Sequence, residues 1–231
     1  FEAVLSTGDT LSLENIVGSF RPGERRRVLI GAHYDTRPRA DRDPREARRG
    51  EPILGANDGA SGVAVLLETA RLLGERRPPV GVDLVFFDGE DYGEEGRTED
   101  YLLGSKRYAA SLGERRPAAV IIVDMVGERG ARFPLEGFSE ASSPGLSGRI
   151  WAAAEELEIE AFERRLGPAI IDDHLPFIQA GLAAVDIIDF EYPYWHTLAD
   201  TPDKCDAQSL EAVGRTLIRF LAAWTILATI L

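Results

Sequence analysis

The segment VLIGAHYDT, residues 28–36, is a short apolar run that ends at a histidine and an aspartate. Four further apolar runs, rich in Val, Ile and Phe, lie at residues 15–17, 82–88, 119–124 and 183–190. Short runs that are apolar on both faces are typical of strands in a sheet covered on each side by helices. We therefore predict that these five runs, residues 28–33 among them, form strands of such a sheet.

Helical sequence lies between these runs, at residues 61–73, 101–112, 146–157, 175–180 and 207–230. Gly74, Gly113 and Gly181 follow three of these segments, at positions where helix C-terminal glycines belong. The alternation of strands and helices predicts an α/β fold. We expect residues 1–231 to form a single three-layer domain, with a mostly parallel or mixed twisted sheet flanked by helices.

Composition limits the classes of partner. The 231 residues carry a formal net charge of −13, which argues against a nucleic-acid binder because such proteins neutralise phosphates with a basic surface. Cys205 is the sole cysteine and cannot form a disulfide within the chain. The apolar stretch 217–231 is shorter than the ~20 residues that span a bilayer, so we expect a packed C-terminal helix and no membrane span.

The segment 37–51 consists of Arg, Asp, Glu and Pro with almost no apolar residue. It contains six arginines, which could contact a substrate. Such a composition is nevertheless typical of a solvated surface loop, and that is the structure we predict for it.

Acids and histidines recur where the apolar runs end. They are His33 and Asp35, then Asp88, Glu90 and Asp91, then Asp124, and finally Asp189 and Glu191. In open α/β sheets, ligands bind beyond the carboxyl ends of the strands. Burying an unpaired carboxylate is costly, so repeated acids at this edge indicate a functional cluster.

Asp58 lies in GANDGASG, residues 55–62, directly before a predicted helix. An aspartate there can cap the helix or can bind a ligand that the flanking glycines allow to approach. The histidines are His33, His174 and His196, each next to an acid or an aromatic residue. A set of histidine and carboxylate ligands suits zinc better than magnesium or calcium. The sequence thus predicts a zinc-dependent α/β enzyme.

With these residues identified, the sequence resembles the metallopeptidase family that contains co-catalytic zinc aminopeptidases and animal-type glutaminyl cyclases. The matching segments are GAHYDT (31–36), GANDGASG (55–62), FFDGED (86–91), IIVDMVG (121–127), DDHLPF (172–177) and YWHTLADTPD (194–203). Each segment alone is weak, but the six occur in the family's order.

The resemblance implies a set of metal ligands. As in the family's aminopeptidases, His33 and Asp124 would bind one zinc ion, Asp91 and His196 a second, and Asp58 would bridge them. In cyclases a single zinc ion is bound by the equivalents of Asp58, Asp91 and His196. The resemblance also implies that Glu90 moves protons, with Asp124 and Asp172 in a supporting hydrogen-bond network.

Two activities of the family remain open. Asp172 in DDHLPF and Trp195 before His196 favour a bacterial glutaminyl-peptide cyclotransferase, with Trp195 lining the pocket for the substrate. Such an enzyme converts the N-terminal glutamine of a peptide or protein to pyroglutamate and releases ammonia. The segment DTPDK (200–204) is instead typical of aminopeptidases, which hydrolyse the first residue from a peptide.

A metal-free binding or scaffold domain is a third reading, disfavoured because the full ligand set is present. Family habit and the absence of an initiator Met suggest a periplasmic or secreted bacterial protein. The resemblance also implies one or more helices before the first strand, and this chain starts close to that strand, so either an N-terminal helical segment has been removed or this member is naturally short.

Overall fold

The computed structural model describes residues 1–94 and 96–224. The strands are β1 (Glu2–Val4), β2 (Thr10–Ser12), β3 (Ile16–Phe20), β4 (Arg27–His33), β5 (Gly81–Phe87), β6 (Ala119–Asp124), β7 (Phe133–Leu135), β8 (Phe162–Leu166) and β9 (Ala184–Ile188). The α-helices are α1 (Ala60–Glu75), α2 (Leu103–Ser111), α3 (Gly137–Ser142), α4 (Pro144–Glu155), α5 (Leu175–Gln179) and α6 (Ala207–Ala223).

Five strands form the main sheet, in the order β3-β5-β4-β6-β9. β4 lies at its centre and is buried along its whole length, as its apolar sequence predicts. β5, β4, β6 and β9 run parallel, and β3 pairs antiparallel with β5 at one edge. The mixed sheet confirms the predicted fold class, and it brings the carboxyl ends of four parallel strands to one edge.

Helices cover both faces of this sheet. On β4, Val28 and Ile30 point into one apolar cluster, which also contains Leu66 of α1 and residues of α4 and α6. Leu29 points into a second cluster, where Phe177 of α5 and the partly buried Tyr108 of α2 lie. Because successive side chains of a strand face opposite ways, the unbroken apolar run of β4 supplies both cores.

Trp151 of α4 connects this helix to a smaller, two-stranded sheet. Its side chain is fully buried, and its Nε1 donates hydrogen bonds to the carbonyl oxygens of Phe133 (3.2 Å) and Glu163 (3.1 Å). These residues belong to β7 and β8, which pair as a two-stranded parallel sheet. A buried indole needs a partner for its N–H, and here the partners are two backbone carbonyls.

Several short elements differ from the sequence prediction. The β1–β2 hairpin, the β7–β8 pair and α3 were not predicted, since strands of three to five residues and a six-residue helix give little periodicity. Gly113 and Gly181 have positive φ after α2 and α5, but Gly74 lies inside α1, which continues to Glu75. The prediction of a helix end at Gly74 was therefore wrong.

α6 begins at Ala207 as predicted and is described to Ala223, while the predicted continuation to residue 230 falls largely outside the described residues. Within the described part of the chain, the helices are too short or too polar to cross a membrane.

Candidate metal centre

Three neighbouring strands deliver buried acids and a histidine to one point. His33 is the last residue of β4, Asp124 is the last residue of β6, and Glu90 and Asp91 follow β5 by three and four residues. All four residues are at most 9% exposed. Asp35 fixes the position of the β5 loop, because its two carboxylate oxygens accept the backbone N–H groups of Glu90 and Asp91, each at 3.1 Å.

Asp58 reaches the same point through close packing of glycines. A Cβ at Gly59 would lie 2.5 Å from the His33 ring, and one at Gly62 would lie 2.2 Å from the carbonyl oxygen of Val123. Only glycine lets this turn and the start of α1 come so near to the strands. Gly59 is the N-cap residue of α1, and no side chain bonds the first turn, so Asp58 does not cap the helix.

His196 comes from the loop between β9 and α6. Its backbone has φ 56°, an uncommon left-handed conformation for a residue other than glycine. Its ring packs against the ring of Trp195 with 3.9 Å between centroids. A strained backbone that aims a buried histidine at a cluster of acids is a feature that recurs at functional sites.

The five candidate ligands form two trios that share Asp58, and Asp172, His174 and Asp186 form a separate group whose ligand atoms are also close enough to hold a metal ion. In the first trio, His33 Nε2 lies 3.3 Å from Asp58 Oδ1 and 3.2 Å from Asp124 Oδ1. In the second trio, His196 Nε2 lies 3.3 Å from Asp91 Oδ1 and 3.7 Å from Asp58 Oδ2. The structure therefore brings together all five ligands that the sequence predicted.

The two trios differ in how their oxygens are used. Asp58 Oδ2 and Asp91 Oδ2 are buried and have no hydrogen-bond partner among the described residues. Asp124 Oδ1, in contrast, accepts the backbone N–H of Met125 at 2.7 Å and also faces His33. Two unpartnered carboxylate oxygens beside a histidine nitrogen fit a divalent cation such as zinc, because burying such oxygens without a partner is costly.

A cavity of about 360 Å³ opens onto the second trio. Glu90, Asp124 and Asp172 line it together with the trio, and Trp195 forms part of its wall. Further wall residues are the apolar side chains of Met125, Ile170, Ile171, Ile188 and Phe190. Trp195 packs on Phe190 with 4.9 Å between ring centroids. The cavity therefore combines several carboxylates with an apolar wall, a combination that occurs in small-molecule and substrate sites.

The electrostatics follow from burial among acids. Burial raises the pKa of the Glu90 carboxyl well above its ordinary value, and the Asp91 carboxylate raises it further. Burial also raises the pKa of Asp124 to about 7, although His33 opposes the shift. For His33, burial alone would lower the pKa, but Asp124 and the other nearby carboxylates raise it well above its ordinary value.

A second buried polar cluster adjoins the cavity through Asp172. His174 Nε2 lies 3.1 Å from Glu136 Oε2, and His174 Nδ1 lies 3.9 Å from Asp186 Oδ2. Burial raises the pKa of Asp186 well above its ordinary value, and Asp172 raises it further. His174 therefore belongs to this cluster and not to the two trios.

Other acids at the strand ends lie outside the cluster. Asp88 accepts the backbone N–H of Glu14 at 2.8 Å, and Asp189 accepts those of Arg132 (3.0 Å) and Glu191 (3.2 Å). The carboxylates of Asp88 and Asp189 accept hydrogen bonds from backbone N–H groups. Only some of the acids at the strand ends therefore lie in the cluster.

The prediction that residues 37–51 form a solvated loop was wrong for its first part. Arg37 is 1% exposed and contacts Asp91 and Asp41, and Asp41 contacts His196. Sequence reasoning missed both residues. The available signal was the position of Arg37, four residues after the end of β4 at the ligand-binding edge.

Comparisons with known proteins agree with this geometry. The model of peptidase family M28 matches residues 15–221. The chain is 26% identical over 245 residues to a glutaminyl-peptide cyclotransferase of Bos taurus, which covers 91% of this chain but only 66% of that protein's length.

Two solved structures are similar in fold and in sequence. A glutaminyl cyclase from Bacteroides thetaiotaomicron bound to N-acetylhistamine has a TM-score of 0.92 and 38% identity, over 96% of this chain and 81% of that one. A Zn-dependent exopeptidase from Parabacteroides distasonis has a TM-score of 0.91 and 34% identity, over 96% and 82%. With a family match that spans all the strands of the main sheet and both trios, the chain belongs to peptidase family M28.

Proposed function

We propose that this protein is a zinc-dependent glutaminyl-peptide cyclotransferase, with residues 1–231 forming one catalytic domain. The observation that carries the proposal is that, within the described residues, the buried carboxylate oxygens of the two trios that lack a hydrogen-bond partner belong to Asp58 and Asp91. With His196 they make a three-ligand site at the base of the cavity. Similarity to glutaminyl cyclases of cattle and of Bacteroides supports the same activity.

Asp58, Asp91 and His196 would bind one zinc ion, whose chemistry is to polarise the γ-carbonyl of a bound N-terminal glutamine as a Lewis acid. The α-amino nitrogen attacks the γ-carbonyl carbon, the bond from that carbon to the amide nitrogen breaks, and ammonia leaves. Glu90, which lines the cavity beside Asp91, takes the proton from the attacking amine and delivers it to the leaving nitrogen. The cyclised product and ammonia together contain the same atoms as the substrate, so the reaction consumes no water.

The remaining residues orient the substrate and limit water. Trp195 and the apolar wall offer a surface for the methylene groups of the glutamine side chain. Exclusion of water matters because water would compete with the α-amine as the nucleophile. Asp172 and Asp124 face the same cavity and would receive hydrogen bonds from the substrate's amine or from Glu90.

Hydrolysis of N-terminal residues is the alternative function. The observation that favours it is the first trio, His33, Asp58 and Asp124, whose ligand atoms are close enough for a second ion. Similarity to the Parabacteroides exopeptidase favours it too. Against a second ion, the buried carboxylate oxygens of the trios that have no hydrogen-bond partner among the described residues belong to Asp58 and Asp91, and none belongs to Asp124.

The two activities are separated by their products. Purified protein would be incubated with a Gln-peptide, a Leu-peptide and an N-acetylated Gln-peptide, and ammonia and free amino acids would be measured. We expect ammonia from the free Gln-peptide alone, because the acetylated peptide lacks the nucleophile. Free leucine without ammonia would establish the aminopeptidase activity in place of the cyclase.

A further inference from the structure

Arg37 is a fully buried cation at the edge of the candidate metal centre. All five of its N–H groups donate hydrogen bonds. Nη1 donates to the carbonyl oxygen (3.0 Å) and to Oδ1 (2.7 Å) of Asp91. Nε and Nη2 donate to the two carboxylate oxygens of Asp41 (2.8 and 2.7 Å), and Nη2 also donates to the Tyr101 hydroxyl (3.1 Å). A guanidinium out of water must be paired in this way, so its partners are held in fixed positions.

The contact with Asp91 decides which of its oxygens is free. Arg37 occupies Oδ1, while Oδ2 is buried and has no hydrogen-bond partner among the described residues. The additional bond from Arg37 to the carbonyl oxygen of Asp91 fixes the backbone of the same residue. Asp91 is thus oriented through both its main chain and its side chain by a single arginine.

The contact with Asp41 serves the second ligand. Asp41 Oδ1 lies 3.4 Å from Nδ1 of His196, on the side of the ring away from Asp58 and Asp91. A carboxylate there favours a proton on Nδ1 and leaves the lone pair of Nε2 free to bind a metal. The backbone supports this contact, because the N–H of Arg42 donates to the carbonyl oxygen of His196 at 3.1 Å.

We propose that Arg37 and Asp41 act together as positioning residues for Asp91 and His196, so that one ion pair sets the geometry of two of the three zinc ligands. The inference rests on the proposed function, in which these residues bind zinc. It goes beyond it by assigning a role to two residues of the 37–51 loop that also line the cavity beside the candidate ligands.

Loss of the Arg37 charge and loss of its contacts with Asp91 are expected to change zinc affinity in opposite directions. Removing a cation beside the site would strengthen the attraction for Zn²⁺, whereas losing the orientation of Asp91 would weaken binding. Arg37→Lys separates the two, because lysine keeps the charge but cannot make the forked contacts to Asp41 and Asp91 together. Asp41→Asn is the second variant; it is nearly isosteric, and Asp41 is 29% exposed, so the fold should tolerate it.

The matched control is Arg27→Lys. Arg27 is also buried, and it makes a forked ion pair with Asp83 (Nε to Oδ2 and Nη2 to Oδ1, both 2.6 Å) at the opposite end of β4. It therefore reports the cost of breaking a buried Arg–Asp pair that lies away from the candidate metal centre.

Zinc affinity would be measured on the whole protein by competition with a chromophoric chelator, and the ligand field by the visible absorption of Co²⁺ added in place of zinc. We expect Arg37→Lys and Asp41→Asn each to weaken zinc binding by about 10- to 100-fold and to alter the Co²⁺ spectrum, as loss of a partner of a metal ligand does elsewhere. Arg27→Lys should change neither.

Unchanged zinc affinity and Co²⁺ spectrum in both site variants would overturn the positioning role, and so would tighter binding in Arg37→Lys. Equal losses in Arg27→Lys would do the same, because the effect would then be general destabilisation. If the unmodified protein binds no zinc, that result contradicts the proposed function. It is distinguishable from failure of the positioning role, which the comparison of variants tests.

Discussion

Glu90 and Asp91 are neighbours in sequence, yet the structure gives their side chains different surroundings. Both side chains line the cavity where a substrate would lie, but Asp91 also contacts Arg37 and faces His196, and its Oδ2 has no hydrogen-bond partner among the described residues. Both backbone N–H groups bond to Asp35, so the pair is fixed as a unit. One loop thus supplies a candidate ligand and a candidate proton carrier.

Replacing Glu90 by Gln should separate these two tasks. Glutamine keeps the shape but cannot carry the proton, so we expect turnover of a Gln-peptide to fall by about 100- to 10,000-fold. Zinc content, measured by mass spectrometry, should stay at the wild-type level.

Asp88→Asn is the matched control, because Asp88 lies two residues earlier and makes its contact with Glu14 outside the cluster. Its turnover should remain close to that of the wild type. Loss of zinc from Glu90→Gln would instead make Glu90 a ligand and exchange the roles of the pair.

At the scale of elements, β4 has a buried ion pair at its first residue and a candidate metal ligand at its last. It ends at His33, and it starts at Arg27, whose guanidinium is 3% exposed and pairs with Asp83 of the adjacent β5. Ser19 of β3 also donates a hydrogen bond to Asp83. The pair therefore joins three strands at the edge of the sheet opposite the candidate site.

This ion pair should make stability depend on pH. Burial alone would raise the pKa of Asp83, but the hydrogen bonds from Arg27 and Ser19 bring it below its ordinary value. A lowered carboxyl pKa stabilises the folded state above the unfolded pKa of about 4, and that contribution is lost as the pH falls through the folded pKa.

We expect Asp83→Asn to lower the free energy of unfolding by about 1.5 to 3 kcal/mol at pH 7, with a smaller difference from the wild type at pH 3. Urea unfolding of both proteins across that range would measure the difference. A gap that stays constant or widens in acid would contradict the role of the Asp83 charge.

At the scale of the whole molecule, part of the negative charge is buried at one edge of the main sheet. The chain has 39 acidic and 26 basic residues, and several of its acids are buried together around Asp58. Asp58 contributes to raising the pKa of Asp91, and Asp172 contributes to raising that of Glu90. A bound cation would relieve this repulsion, so folding and metal binding should be coupled.

Zinc should therefore raise the melting temperature. At a free concentration about 100 times its Kd, zinc would stabilise the fold by about 2.7 kcal/mol, which corresponds to a rise in Tm of about 5 to 10 °C. Calorimetry with a chelator and with added zinc would measure the shift.

Magnesium should not substitute for zinc, because it prefers oxygen ligands in an octahedral arrangement. Asp58→Asn should remove most of the response to zinc. An identical Tm in chelator and in zinc would show that the cluster does not bind the ion.

Local sequence determined the framework of this protein. The apolar runs of β4 and β6 are long and unbroken enough to predict buried parallel strands, and His33 and Asp124 at their ends predict where a ligand binds. The motif around Asp58 also predicted its place, because glycines on both sides permit close approach. These inferences succeed because strand periodicity and glycine geometry are properties of a few consecutive residues.

Tertiary structure alone decided the environment of each charged side chain. Arg37 lies in a segment whose composition is typical of a solvated loop, yet it is buried against Asp91, 54 residues away in sequence. The same holds for the trios, where, among the described residues, Asp91 has a buried oxygen without a hydrogen-bond partner and Asp124 does not. Whether a charge is buried depends on partners brought together by folding, and no short stretch of sequence contains that information.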